Sequence, residues 1–159
     1  MAEQLALHGG PNAVQTDPGD IYEWPIITEE DEQAVLDVLR RRAMSGRDIT
    51  EQFEKEFAEW HDMDYCLGFS SGTASLQSAM WACGVGVGDE IIVPSQTYWA
   101  SALPAFTLQA TPVFADIEFE TLCIDPDDIE HRITEHTKAI VPVHYCGHPA
   151  DMDPIMEIA

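Results

Sequence analysis

Three short stretches of this sequence hold residue types and spacings that could do chemistry. The first, Ser70-Ser71-Gly72-Thr73-Ala74, follows an apolar run and precedes a helical pattern. Small residues at a helix start let a ligand approach the backbone, while the free N–H groups of the first turn and the helix dipole attract an anion. A phosphate cradle and an ordinary strand-to-helix turn with a serine or threonine cap fit these residues equally well. The second stretch, Pro94-Ser95-Gln96-Thr97-Tyr98-Trp99, lies just past another apolar run. Ligands gather beyond the carboxyl ends of strands in open α/β sheets, and one aromatic ring there offers a face to a flat heterocycle, with the other ring left for the core. The third, His144-Tyr145-Cys146-Gly147-His148, places two histidines and a cysteine together. No carboxylate or further histidine stands at a supporting metal spacing, so a site-wall loop or a polar turn is the simpler reading. Cys146 with His144 as its base would form a thiol nucleophile, but nearness in sequence does not establish that geometry.

The elements that must position these stretches follow from periodicity. Short apolar runs at Tyr65 to Phe69, Glu90 to Val93, Pro112 to Ala115 and Ala139 to Val143 read as strands, and 73–83, 97–109, 126–132 and 152–158 as helices. Pro104 should kink or interrupt its helix, and Asp125-Pro126 supplies a cap followed by proline at the first helical position. Strands alternating with helices, with apolar runs too continuous for one-sided exposure, argue for a parallel or mostly parallel sheet covered on both faces. Upstream, Thr28 caps a helix whose first turn holds Glu29, Glu30 and Asp31 and whose apolar stripe is Ala34, Val35, Val38 and Leu39. Arg40 to Arg42 fall at its C-terminal end, where cations are favoured. A second helix from about Thr50 places Phe53, Phe57 and Trp60 on one face, expected as core. Residues 1–22 read as a flexible arm, 23–62 as an N-terminal helical segment and 63–159 as the sheet-bearing domain. Gly84-Val85-Gly86-Val87-Gly88 closes a helix and leads into a strand, the reverse of a dinucleotide fingerprint, and is a C-cap and turn.

Composition narrows the partners. The 159 residues include 29 Asp plus Glu against 7 Lys plus Arg, a formal net charge of −22. Phosphate backbones and anionic membranes are therefore excluded as partners, while 45% hydrophobic residues suffice for a packed core. Cys66, Cys83, Cys123 and Cys146 show no metal-ligand spacing and read as buried or semi-buried free thiols. The N-terminus has neither a basic nor an apolar leader region, and the most apolar stretch, residues 91–106, is broken by Pro94 and Pro104, so a cytoplasmic location is expected. Lysine occurs only as Lys55 and Lys138.

Taken in order, several segments resemble the DegT/StrS type of pyridoxal phosphate-dependent sugar aminotransferases. They are Trp24-Pro25-Ile26-Ile27-Thr28, Met44-Ser45-Gly46, Ser71-Gly72-Thr73-Ala74-Ser75-Leu76, Gly86-Val87-Gly88-Asp89-Glu90 through Pro94, Thr97-Tyr98-Trp99-Ala100, and Val143-His144-Tyr145 through Gly147 to Ala150-Asp151-Met152. The resemblance implies part of a type I aminotransferase large domain, a three-layer αβα arrangement with a mostly parallel sheet, preceded by a helical arm. It assigns the cofactor phosphate to Gly72 and Thr73, with Ala74 as a further backbone donor, and the cofactor ring face to Tyr98. It further implies amino transfer, commonly from glutamate, to a nucleotide-linked keto-sugar by a homodimer. A sugar dehydratase or an aminohydroxybenzoate synthase of the same family, and a non-catalytic phosphate-binding fragment, are the alternatives.

The sequence departs from this pattern in one respect. The aspartate that keeps the cofactor's ring nitrogen protonated and the Schiff-base lysine belong to family motifs downstream of the segment resembling 150–159, and neither Lys55 nor Lys138 lies in the family's lysine context. The chain alone is thus expected to be inactive. It is also expected to hold only the first four strands, which leaves the strand at 65–69 without its lateral partner and the chain marginally stable.

Overall fold

The computed structural model describes residues 4–17, 19 and 24–159, which divide into two units, Met1–Ile49 and Thr50–Ala159. The expected arm at 1–22 lies partly outside the described residues; its described part holds one 3-10 turn, Ala6–His8.

In the first unit, helix α1 spans Glu29–Arg40. Thr28 caps it reciprocally: its hydroxyl accepts from the Asp31 amide at 3.3 Å, and the Asp31 carboxylate accepts from the Thr28 amide at 2.8 Å. The Thr28 backbone and hydroxyl donors hold the Asp31 carboxyl below its ordinary value. At the far end the Arg41 guanidinium meets Asp48 at 2.9 Å and, as the leading cause, lowers that carboxyl in turn. Of the arginine triplet, Arg41 thus makes a local ion pair. The expected apolar stripe is not buried within this helix.

The second unit is built on three parallel strands, β1 (Glu90–Pro94), β2 (Thr111–Ala115) and β3 (Thr137–Ile140), in the order β2-β1-β3. Helices α3 (Gly72–Ala82), α4 (Leu103–Thr107), α5 (Pro126–Arg132) and α6 (Met152–Ile158) accompany them. Alternation along β1 divides the core into two layers. Ile91 and Val93 join Met80, Val85, Ala102 and Ala105 on one face. Ile92 joins Ile124, Ile129 and Ile155 on the other. Helices therefore cover both faces, which is the three-layer αβα arrangement expected of a mostly parallel sheet.

Local chemistry explains the boundaries. Pro104 ends the long helix expected over 97–109: the chain there forms a 3-10 turn at Trp99–Ser101 and then the short α4 with the proline in its first turn. Asp125 caps α5 by accepting from the Asp127 amide at 3.0 Å, with Pro126 at the first helical position. Asp128 ties α5 to the end of β2 by accepting from the Asp116 amide at 2.7 Å and from Arg132 at 3.0 Å, and the amide, then the guanidinium, hold its carboxyl below the ordinary value. Gly84, at φ 81°, turns the chain out of α3 and directs it toward β1.

Three expectations require correction. Residues 65–69 form no strand: they pair with no described strand, and the Gly68 amide donates to the Glu54 carboxylate at 2.8 Å instead. Tyr65, Leu67 and Phe69 stay exposed. Phe53, Phe57 and Trp60 on α2 (Asp48–Trp60) are not core residues; they remain exposed and stack on one another, with ring centroids 5.4 and 6.0 Å apart. Of the four free thiols only Cys123 is buried and Cys66 half-buried, while Cys83 and Cys146 are exposed. Among the described residues no helix is long and apolar enough to cross a membrane.

Candidate active site

The first stretch opens α3. Ser71, extended at φ −164°, caps the helix, and its hydroxyl accepts from the Ala74 amide at 3.2 Å. The Ser75 hydroxyl donates to the Gly72 carbonyl at 2.8 Å. The Gly72 and Thr73 amides and the Thr73 hydroxyl have no hydrogen-bond partner among the described residues. A Cβ placed on Gly72 would meet no atom within 4 Å, so an oxyanion has room to reach these donors. The donor set therefore fits a phosphate through Gly72 and Thr73. The Ala74 amide is already engaged by Ser71 and would contribute only if that cap opened.

The second stretch leaves β1 under restraint at successive residues. The Ser95 amide donates to the Ala115 carbonyl at 2.8 Å, which holds the loop to the end of β2. The Gln96 side chain reaches the other way and donates to the Tyr145 hydroxyl at 2.9 Å. Thr97 and Ser101 share a hydrogen bond of 2.8 Å between their hydroxyls, and the Ser101 amide closes the turn on the Tyr98 carbonyl at 2.9 Å. Tyr98 itself is 69% exposed, and its ring makes a T-shaped pair with Trp99 at 5.9 Å between centroids. Trp99 was expected to be core if Tyr98 faced a ligand, yet it too is exposed. α3 packs against the 3-10 turn that follows Tyr98 and against α4, so the elements bearing the first and second stretches are neighbours.

The third stretch forms a 3-10 turn, Tyr145–Gly147, beyond β3. His144 Nδ1 accepts from the Ala150 amide at 3.0 Å, which places the hydrogen of the neutral ring on Nε2. Cys146, at φ 50°, occupies the left-handed region. Among the described residues no group of three or more His, Cys, Asp or Glu side chains could hold a metal ion. What this loop contributes is Tyr145, whose link to Gln96 joins residues 49 apart.

The two lysines stand apart from the cradle. Lys55 lies exposed on α2, 3.8 Å from Glu59. Lys138 on β3 faces the opposite end of α3: a Cβ on Gly84 would lie 3.4 Å from its Cε and 3.8 Å from its Nζ. The 11 residues of α3 begin at Gly72, which puts that end about 15 Å away at the usual rise.

Comparison with known proteins adds what geometry alone does not supply. Residues 25–159 match the DegT/DnrJ/EryC1/StrS aminotransferase family. The chain is 43% identical to the L-glutamine:2-deoxy-scyllo-inosose aminotransferase of Streptomyces lividus, over all of this chain and 38% of that protein. It thus spans well under half the length of the curated relatives it matches first. Among solved structures, the aminotransferase from Psychrobacter cryohalolentis superposes with a TM-score of 0.80 at 41% identity, covering 86% of this chain and 35% of that one. The pyridoxal phosphate form of Spr1654 from Streptococcus pneumoniae does so with a TM-score of 0.77 at 35% identity, over 84% of this chain and 34% of that one.

Proposed function

We propose, for a chain that belongs to the DegT/DnrJ/EryC1/StrS aminotransferase family, that residues 70–74 and 95–98 bind pyridoxal phosphate for amino transfer to a ring ketone. The observation that carries this reading is the open start of α3. There the Gly72 and Thr73 amides and the Thr73 hydroxyl point their hydrogen-bonding capacity at a space no side chain fills. In this role they hold the cofactor phosphate, and the helix dipole supports its negative charge. Tyr98 lays its ring against the heterocycle and limits water on that face. Bound pyridoxal phosphate supplies the electron sink that amino transfer requires.

The positions of Lys55 and Lys138 support a division of labour. These residues supply the phosphate and ring-face contacts, and neither lysine holds the cofactor covalently. Lys138 in particular serves the wrong end of α3. For the substrates, we propose a ketone on a cyclitol or sugar ring as acceptor and an amino acid as donor. The name of the S. lividus relative specifies glutamine and an inosose, which favours glutamine over the glutamate expected from the family pattern. A nucleotide-linked keto-sugar is the acceptor that pattern implies.

Binding tests the cofactor reading. Purified chain should bind pyridoxal phosphate at least about tenfold more tightly than pyridoxal, since hydrogen bonds to a charged group contribute about 1.5–3 kcal/mol. Equal affinities would remove the cradle from the site. Borohydride treatment of the complex followed by peptide mapping should label neither Lys55 nor Lys138, and a label on either overturns the division of labour. For the substrates, the gene product is offered an inosose or a nucleotide-linked keto-sugar, each with glutamine or glutamate, and the aminated product is identified by mass.

A further inference from the structure

We propose that Gln96 and Tyr145 form a clamp that fixes the face of Tyr98, so that Tyr145 is a positioning residue for the cofactor ring although it belongs to a different loop. The inference rests on the cofactor reading above and goes beyond it. Its basis is the way the Tyr98 loop is held. Toward β2 the loop is anchored by backbone, through the Ser95 amide on the Ala115 carbonyl. Toward β3 the corresponding anchor is the bond from Gln96 Nε2 to the Tyr145 hydroxyl at 2.9 Å. Tyr98 lies two residues beyond Gln96, is itself 69% exposed, and among the described residues its only aromatic neighbour is the exposed Trp99. No packed pocket holds its ring, so the path of the backbone decides where that ring points.

The partner loop is itself built to be stiff. Tyr145 is half-buried and packs on the core layer formed by Ile92, Ile124, Ile129 and Ile155. The residue before it, His144, accepts the Ala150 amide at 3.0 Å, and α6 begins just beyond, at Met152. A side chain seated on the core thus presents a hydroxyl to a loop that carries a solvent-exposed ring. The clamp passes the rigidity of β3 and its neighbours to Tyr98. The phosphate cradle at Gly72 and Thr73 does not include the clamp: its donors belong to the first turn of α3, and Met80 seats the other end of that helix in the core layer opposite the one that holds Tyr145.

This separation makes the proposal testable. Tyr145→Phe keeps the ring on the core and removes only the hydroxyl. In the chain without cofactor, Tyr145→Phe should speed amide exchange at Ser101, whose N–H closes the turn on Tyr98, while exchange at Ile92 and the melting temperature stay as in the wild type. With cofactor, the variant should bind pyridoxal phosphate about three- to tenfold more weakly and lose part of the induced circular dichroism of the bound ring. Its affinity for inorganic phosphate should not change. Gln96→Ala should behave alike, and the double variant should lose no more than either single one, the mark of a shared bond. Additive losses, equal weakening toward inorganic phosphate, or unchanged exchange at Ser101 would each overturn the clamp. A wild-type chain that does not distinguish pyridoxal phosphate from pyridoxal overturns the cofactor reading instead, and the exchange arm still judges the clamp.

Discussion

Residues 90–94 and 65–69 have parallel roles in the chain and opposite structures. Each is a short apolar run that leads into one half of the candidate site, β1 into the Tyr98 loop and 65–69 into the phosphate cradle. β1 has a parallel neighbour on each side and helices on both faces, and Ile91, Ile92 and Val93 expose no surface. The other run has no strand beside it among the described residues; Tyr65 is 89% exposed and the Gly68 amide turns to a carboxylate. Apolar composition therefore does not make a strand by itself, since the ladder needs partners for its N–H and C=O groups. The start of α3 forms regardless, because a helix start needs only its own cap and the anchoring of its far end.

Hydrogen exchange should show the largest contrast. Amides of 91–93 should exchange at least about a thousandfold more slowly than those of 65–69, and comparable protection would place 65–69 in a sheet after all. Core truncation comes next. Ile92→Ala removes a side chain from a fully packed layer and should cost about 2–5 kcal/mol in denaturant unfolding, whereas a loss under 1 kcal/mol would mean the layer is not close-packed. The cradle can be spoiled without unfolding the chain: Gly72→Glu puts a carboxylate where helix dipoles tolerate it. It should weaken pyridoxal phosphate binding at least about tenfold while leaving the melting temperature nearly fixed.

Acid should act on the β1 side of the comparison through Asp128, which joins α5 to the end of β2. Its folded-state carboxyl lies below the ordinary 3.8, so its contribution is complete above that value and disappears as pH falls through the lowered one. Asp128→Asn should therefore flatten the acid limb of a stability profile below pH 3.8; an unchanged limb would assign it to Asp31 and Asp48. The smallest effect belongs to the uncovered run, where Leu67→Ser should shift stability by no more than about 0.5 kcal/mol.

Much of this was legible in the residues themselves. Thr28 with Asp31, Asp125 with Pro126, and Gly84 after α3 each announce a helix boundary through a local bond or a local φ, and local signals survive folding. Strand order and burial are not local. Phe53, Phe57 and Trp60 have the spacing of a core face, but nothing in that spacing says whether another element covers it. Both members of the Gln96–Tyr145 pair lie in segments that stand out as candidates for chemistry, yet their hydrogen bond depends on β1 and β3 being neighbours. Position alone marks the turn at 70–74 and an aromatic residue past the end of a strand, and the family resemblance singles out Gly72, Thr73 and Tyr98. The engagement of the Ala74 amide by Ser71 required the geometry.

A cradle made of amides carries no mobile countercharge, and it sits in a chain of net charge −22. The net charge of this chain would repel a phosphate dianion while a few short hydrogen bonds from the proposed cradle would attract it. Added electrolyte weakens the first over a Debye length of about 10 Å at 0.1 M and leaves the second almost untouched. Affinity for phosphorylated ligands should accordingly rise with ionic strength, opposite to the behaviour of a site lined with lysine and arginine.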